Sequence, residues 1–434
     1  MKILQKIKVF LWGDISKEEM ERFGMLALTF MLIIGAYWLL RPLKDGVFMS
    51  VVGRDFLPYA KIISLCWIFP LVLIYSKLVD LVEKQKLFYI ICGSYATLFT
   101  VVAYLLTHPT IGLANTVPSP KRALGWVFYL AVESFGSLLI ALFWSFVASN
   151  TKTESAKRGY GIIIFGAQIG SMIGPMLAIN ADYFGLPLLT LMVAIALCLV
   201  PVLIKIFISL FPGTAETDVS KQKKTGSTEG LKLIATRPYL LGILGVSTLY
   251  EVVATILDLK FKMLVGDTFS TAAQATSFLG YFGFATNLLT FIFTFVGTSF
   301  VIRKMGLTFC LVAYPALAAA LVLFAWLYPV LSVLFGCMMA YKAMSYALNN
   351  PCKEIMYIPT SKDVKFKAKG WIDMFGSRTA KGLGSGIQAL ALKTSNVIAY
   401  GSILSLGVVA IWLTAAIYVG RKNKTLVESG QILQ

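Results

Sequence analysis

A chain of 434 residues with 58% hydrophobic and only 14% charged side chains, and a mean hydropathy of +0.78, falls far below the ~25% charge of a soluble protein. Its apolar runs approach the ~20 residues an α-helix needs to cross a bilayer, and they lack the alternation of outer-membrane strands, which excludes a β-barrel. The net charge of +18 fits Lys and Arg gathered in cytoplasmic loops and not nucleic-acid binding, which needs a basic soluble module; an all-α polytopic membrane protein is expected.

The chain opens with Met1–Arg22, where Lys2, Lys6 and Lys8 mix with Asp14, Glu18, Glu19 and Glu21. That mixture fits neither a cleavable signal nor a transit peptide, and Ile3, Leu4, Ile7 and Leu11 predict an interfacial helix within residues 1–23. Twelve membrane helices follow, at about 24–44, 57–79, 87–107, 123–149, 159–180, 185–211, 238–264, 277–301, 306–328, 329–348, 370–393 and 396–420. They form an N-terminal bundle (24–211) and a C-terminal bundle (238–420), joined by a flexible linker over 212–237 with Lys221, Lys223, Lys224 and Lys232 and followed by a tail, 421–434. With the amino terminus inside, the outer loops hold only Arg54, Lys61, Lys121, Arg122 and Lys393, so both termini are expected in the cytoplasm.

Helices five and eleven repeat each other. Phe165-Gly166-Ala167-Gln168 aligns without gaps on Phe375-Gly376-Ser377-Arg378, Ser171 on Lys381 and Gly174 on Gly384. Two parallel six-helix repeats are the plan of major-facilitator transporters, whose substrate site lies between the halves near the midplane. Gly166, Gly170 and Gly174 form a small-xxx-small stripe, expected to pack closely on a neighbouring helix. Gly382-Leu383-Gly384-Ser385-Gly386 resembles a phosphate loop but lacks its strand-then-helix context, so packing is expected there too.

A charge at the bilayer centre costs about 2.5–3.5 kcal/mol, which makes intramembrane charges the candidate functional residues. Near the middle stand Glu133 (helix four), Glu251 (seven), Lys342 (ten) and Asp373, Arg378 and Lys381 (eleven). Closer to the outer ends stand Arg41 and Lys44 (one) and Asp258, Lys260 and Lys262 (seven). Glu251, Asp258 and Lys262 share one stripe of helix seven, with Asp258 and Lys262 spaced for an i,i+4 pair, while Lys260 points the other way. Cations outnumber acids, which calls for an anionic ligand; Arg41 and Arg378 offer forked donors, Lys44 and Lys381 point charges. The lone His108 and the scattered cysteines suggest no nucleophile, metal site or cofactor, so no enzyme activity is expected.

The residues resemble the nucleotide transporters (ATP/ADP translocases) of obligate intracellular bacteria and plastids over nearly the whole chain. Leu40-Arg41-Pro42-Leu43-Lys44-Asp45 looks like the family's LRxLKD segment, and Leu57-Pro58-Tyr59-Ala60-Lys61 and Lys86-Leu87-Phe88-Tyr89-Ile90 are similar to familial blocks. Glu133-Ser134-Phe135-Gly136-Ser137 resembles ELWGS, with Phe135 for the usual Trp. Lys353-Glu354-Ile355-Met356-Tyr357-Ile358-Pro359, Ile372-Asp373, Ser377-Arg378 and Lys381-Gly382-Leu383-Gly384-Ser385 follow the pattern most closely.

The resemblance implies that the family's two functional lysines and one glutamate fall on Lys44, Lys381 and Glu133. The second glutamate falls on Asp258, with Phe261 in place of the family's Trp and Lys262 in place of its Lys; Glu251, two turns earlier, is the alternative acid. Together with the intramembrane charges, this gives an expected substrate set of Arg41, Lys44, Glu133, Glu251, Asp258, Lys262, Lys342, Arg378 and Lys381. The implied function is exchange of ADP for ATP by alternating access in a bacterial inner membrane, with the lipid bilayer as surroundings and the monomer as working unit. Proton-coupled import of several nucleotides is the alternative within the family, and an anion channel or membrane scaffold the alternative outside it.

Overall fold

The computed structural model describes residues 16–151, 153–211, 227–296, 298–361, 368–369, 371–391 and 397–433. The expected interfacial residues 1–15, most of the linker (212–226) and the basic residues Lys362, Lys365 and Lys367 lie outside the described residues.

Helix α1 (Lys17–Val51) begins where Ser16 and Glu19 close a capping box: the Glu19 amide donates to Ser16 Oγ (3.1 Å) and the Ser16 amide to Glu19 Oε2 (3.4 Å). Lys17–Arg22 are therefore the first turns of the membrane helix itself and not a separate interfacial helix. There follow α2 (Leu57–Leu81), α3 (Lys84–Thr107), α4 (Ala123–Ser149), α5 (Thr153–Ile179) and α6 (Leu186–Leu210). The α3–α4 loop folds around Arg122, whose guanidinium donates to the carbonyls of Ile111, Gly112, Asn115 and Val117. Gly185, at φ +75°, turns the chain from a short helix, Ala181–Phe184, into α6 in a conformation that β-carbon-bearing residues resist.

Within the expected linker, Ser227–Thr236 forms a helix of its own. Then come α7 (Pro238–Thr268), α8 (Ala272–Val296), α9 (Thr298–Leu327, broken at Gly306, φ +78°), α10 (Leu331–Met356), α11 (Ile372–Gly376 continued by Ser377–Ala391) and α12 (Val397–Glu428). Both α10 and α11 contain a π-helical turn, at Ser345–Asn349 and Ile372–Gly376. Among the described residues eleven helices are long and apolar enough to span a membrane; the twelfth is the shorter, charged α11. The chain is thus an all-α polytopic membrane protein.

Contacts divide the described residues into two compact units. The first lies within Met1–Arg54, Cys66–Val219 and Thr268–Phe284, the second within Asp55–Leu65, Ser220–Asp267 and Ala285–Gln434. In the first unit the glycine stripe of α5 meets α1 backbone to backbone. A β-carbon at Gly166 would run into the Ala27 carbonyl, at Gly170 into that of Met31 and at Gly174 into that of Gly35. In the second unit α11 meets α7 in the corresponding way: Gly376 faces Leu244 and Thr248, and Gly384 faces Thr255 and the Val252 carbonyl. The sequence repeat is therefore a repeat of packing, helix one with five and helix seven with eleven. In the Gly382–Gly386 run, Gly384 makes this close approach whereas Gly386 faces open space.

Candidate functional site

In the first unit, α1 and α4 hold the charges. The ammonium of Lys44 lies 2.8 Å from Asp45 Oδ1 and 3.1 Å from Glu133 Oε1, and 4.0 Å from the centre of the Tyr129 ring. Two carboxylates and an aromatic face compensate a cation that is almost wholly buried. One turn earlier, the Arg41 guanidinium stacks 4.6 Å over Trp38 and 5.7 Å from Tyr37. Gly136, one turn beyond Glu133, leaves the space that the Tyr37 ring occupies.

In the second unit, Asp258 of α7 is the hub of a cationic cluster. Its Oδ2 accepts Lys262 and Lys61, each at 2.9 Å, and its Oδ1 accepts Lys342 of α10 at 2.7 Å. Three ammonium groups on one buried carboxylate leave two positive charges without a formal counter-charge from it. The i,i+4 spacing of Asp258 and Lys262 produces the expected pair, and Lys260 leaves from the opposite side to donate to Ser402 of α12 at 2.7 Å.

Two turns earlier on α7, Glu251 has a separate set of partners. Its Oε1 accepts the Tyr250 hydroxyl at 2.6 Å and the Ser377 hydroxyl at 3.3 Å, and stands 3.8 Å from Lys381 Nζ. Lys353 of α10 lies 3.8 Å over the Tyr250 ring. Arg378, half-buried on α11, has no ion-pair partner among the described residues.

Of the expected set, Lys44 with Glu133, Asp258 with Lys262 and Lys342, and Glu251 with Lys381 meet directly; Arg41 rests on aromatic rings. Six participants were not singled out from the sequence as site residues: Asp45, Lys61, Tyr129, Tyr250, Lys353 and Ser377. The signal for Lys61 was present, because Leu57-Pro58 reads as a helix start and puts Lys61 one turn inside α2. Chemically the two clusters offer buried ammonium groups held by carboxylates that an incoming polyanion can replace.

Comparison with known proteins agrees with the motifs. Residues 1–119, 121–329 and 309–423 match a family model described as TLC ATP/ADP transporter. ADP,ATP carrier protein 1 of Chlamydia muridarum is 28% identical, covering 95% of this chain and 90% of that protein. ADP,ATP carrier protein 1 of Rickettsia prowazekii is 25% identical (89% and 88% covered), and the chloroplastic ADP,ATP carrier protein 2 of Arabidopsis thaliana 24% (94% and 75%). Among solved structures, the POT family transporter PepTSo aligns with a TM-score of 0.60 at 12% identity, covering 94% of this chain and 98% of that one. A bacterial homologue of the lysosomal transporter Spinster aligns at 0.55 and 13% (96% and 99%). At such identities these two establish the major-facilitator-like fold alone, whereas the family match spans the chain. The chain belongs to the TLC ATP/ADP transporter family, as a multi-pass membrane protein.

Proposed function

We propose that this protein is an adenine-nucleotide antiporter that imports ATP in exchange for ADP by alternating access. We place it in a bacterial inner membrane, as a monomer with both termini in the cytoplasm. The observation that carries the reading is the Asp258 cluster: three lysines within 2.9 Å of one buried carboxylate. Three ammonium groups gathered at one point suit the phosphates of a nucleotide, and the lysine ammonium is the compact donor that such a chain of oxygens meets.

The carboxylates explain why exchange is favoured over leak. With no nucleotide bound, Asp258 holds Lys61, Lys262 and Lys342, and Asp45 and Glu133 hold Lys44, so each ammonium keeps a carboxylate partner. Arriving phosphate competes for the same lysines, and departing phosphate returns them to the carboxylates. Arg41, Arg378 and Lys381 add further cations for the phosphate chain, and the Lys381–Glu251 pair repeats the same swap on α11 and α7. The adenine base is supported by the names of the Chlamydia, Rickettsia and chloroplast relatives.

Uptake of labelled ATP by proteoliposomes tests the reading. An antiporter requires internal ADP. Uptake into empty vesicles driven by a proton gradient would instead establish a symporter, and uptake needing neither a channel.

A further inference from the structure

Lys61 sits one turn into α2, and its bond to Asp258 differs from the other two. Lys262 reaches Asp258 from the same helix, four residues on, and Lys342 has Oδ1 to itself at 2.7 Å. Lys61 shares Oδ2 with Lys262, both at 2.9 Å, so two ammonium groups crowd one acceptor and repel each other. Its side chain is 18% exposed against 10% for Lys262. Lys342 is as open, at 19%, so Lys61 is the more accessible of the two ammonium groups that share Oδ2 and, like Lys342, lies within reach of a ligand. The helix that carries it is itself lightly enclosed: 28% of the most apolar stretch of α2 is buried, against 61% for α7. The first turns of α2, through Leu65, lie in the same unit as α7, and from Cys66 onward the helix is assigned to the other unit.

We propose that Lys61 is a ligand-displaced tie: a phosphate group arriving at Lys262 and Lys342 draws the Lys61 ammonium off Asp258 and frees the first turns of α2 from α7. This inference rests on the reading of the Asp258 cluster as a phosphate site. Lys61 contacts the arriving phosphate itself, and its transfer couples ligand occupancy to the position of α2. The lysine keeps a counter-charge throughout, trading one oxygen anion for another, so the release does not strand a desolvated cation.

The test places spin labels on cysteines at Ile63 of α2 and Asp267 of α7, both exposed, in an otherwise cysteine-free protein reconstituted in proteoliposomes. The same vesicles are assayed for ADP/ATP counterflow. Saturating ADP should lengthen the label-to-label distance by at least about 2 Å, the scale of a helix shift. Lys61→Gln should show the long distance without ligand and no further change with ADP, whereas Lys61→Arg should keep the ligand-dependent change. A distance that does not respond to ADP in vesicles that do exchange nucleotide would overturn the tie and leave the transport reading standing. Absence of exchange with every nucleotide would remove the transport reading, and the tie with it.

Discussion

Replacing Asp258 by asparagine tests the charge balance of the second unit. At an effective dielectric of about 20, each of the three ion pairs at 2.7–2.9 Å is worth about 6 kcal/mol of Coulomb attraction. Mutual repulsion among three ammonium groups roughly 5 Å apart returns about 10 kcal/mol in total. The asparagine keeps the shape but removes the attraction and leaves the repulsion, and the net penalty for an uncompensated buried charge, after relaxation, is about 3–5 kcal/mol. That penalty falls on the empty protein and is relieved by bound phosphate, so nucleotide is held more tightly and released more slowly. Counterflow by Asp258→Asn in proteoliposomes should fall by a factor of about a hundred to a few thousand, since ~1.4 kcal/mol is tenfold. Asp258→Glu should remain active, and Glu251→Gln should be milder, because Glu251 has one ammonium at 3.8 Å where Asp258 has three. An active Asp258→Asn beside an inactive Glu251→Gln would refute the reasoning and transfer the coupling role to Glu251.

Lys44→Ala and Lys381→Ala should each abolish exchange while leaving protein in the membrane, measured by counterflow beside an immunoblot. Arginine should not rescue Lys44, because a planar fork does not fit between Asp45, Glu133 and the Tyr129 ring. Gly174→Leu should push α5 off the Gly35 carbonyl of α1 and cost about 1–3 kcal/mol or more, read as a lowered thermal midpoint in detergent; Gly386→Ala, facing open space, should change it little. A cysteine at Ser227 should resist impermeant maleimide added to intact cells, and labelling from outside would overturn the cytoplasmic placement of the segment.

Helix number and the α1–α5 contact are readable from the chain because they depend on local pattern: apolar runs of spanning length, and small residues four apart. The phase of α7 is readable for the same reason, and it sends Asp258 and Lys262 one way and Lys260 the other. Partner choice between helices is not local. Helical phase puts Glu251 and Asp258 on one stripe, but only the packed fold allots Tyr250, Ser377 and Lys381 to the first and three lysines to the second. Lys61 escapes a reading based on loop charges because it lies at a helix start, where a residue counted as loop can turn inward. The π-turns of α10 and α11 leave no composition signal, since they depend on one extra residue being accommodated within a helix.

The most direct test of the claim that these lysines recognise phosphate is counterflow with a graded set of labelled ligands: adenosine, AMP, ADP and ATP presented to ADP-loaded proteoliposomes. Exchange should be absent for adenosine and strong for ADP and ATP, and exchange of ADP and ATP should be abolished in Lys44→Ala and Lys381→Ala. Adenosine exchanging as fast as ATP, or a variant lacking either lysine exchanging ATP like the wild type, would contradict it.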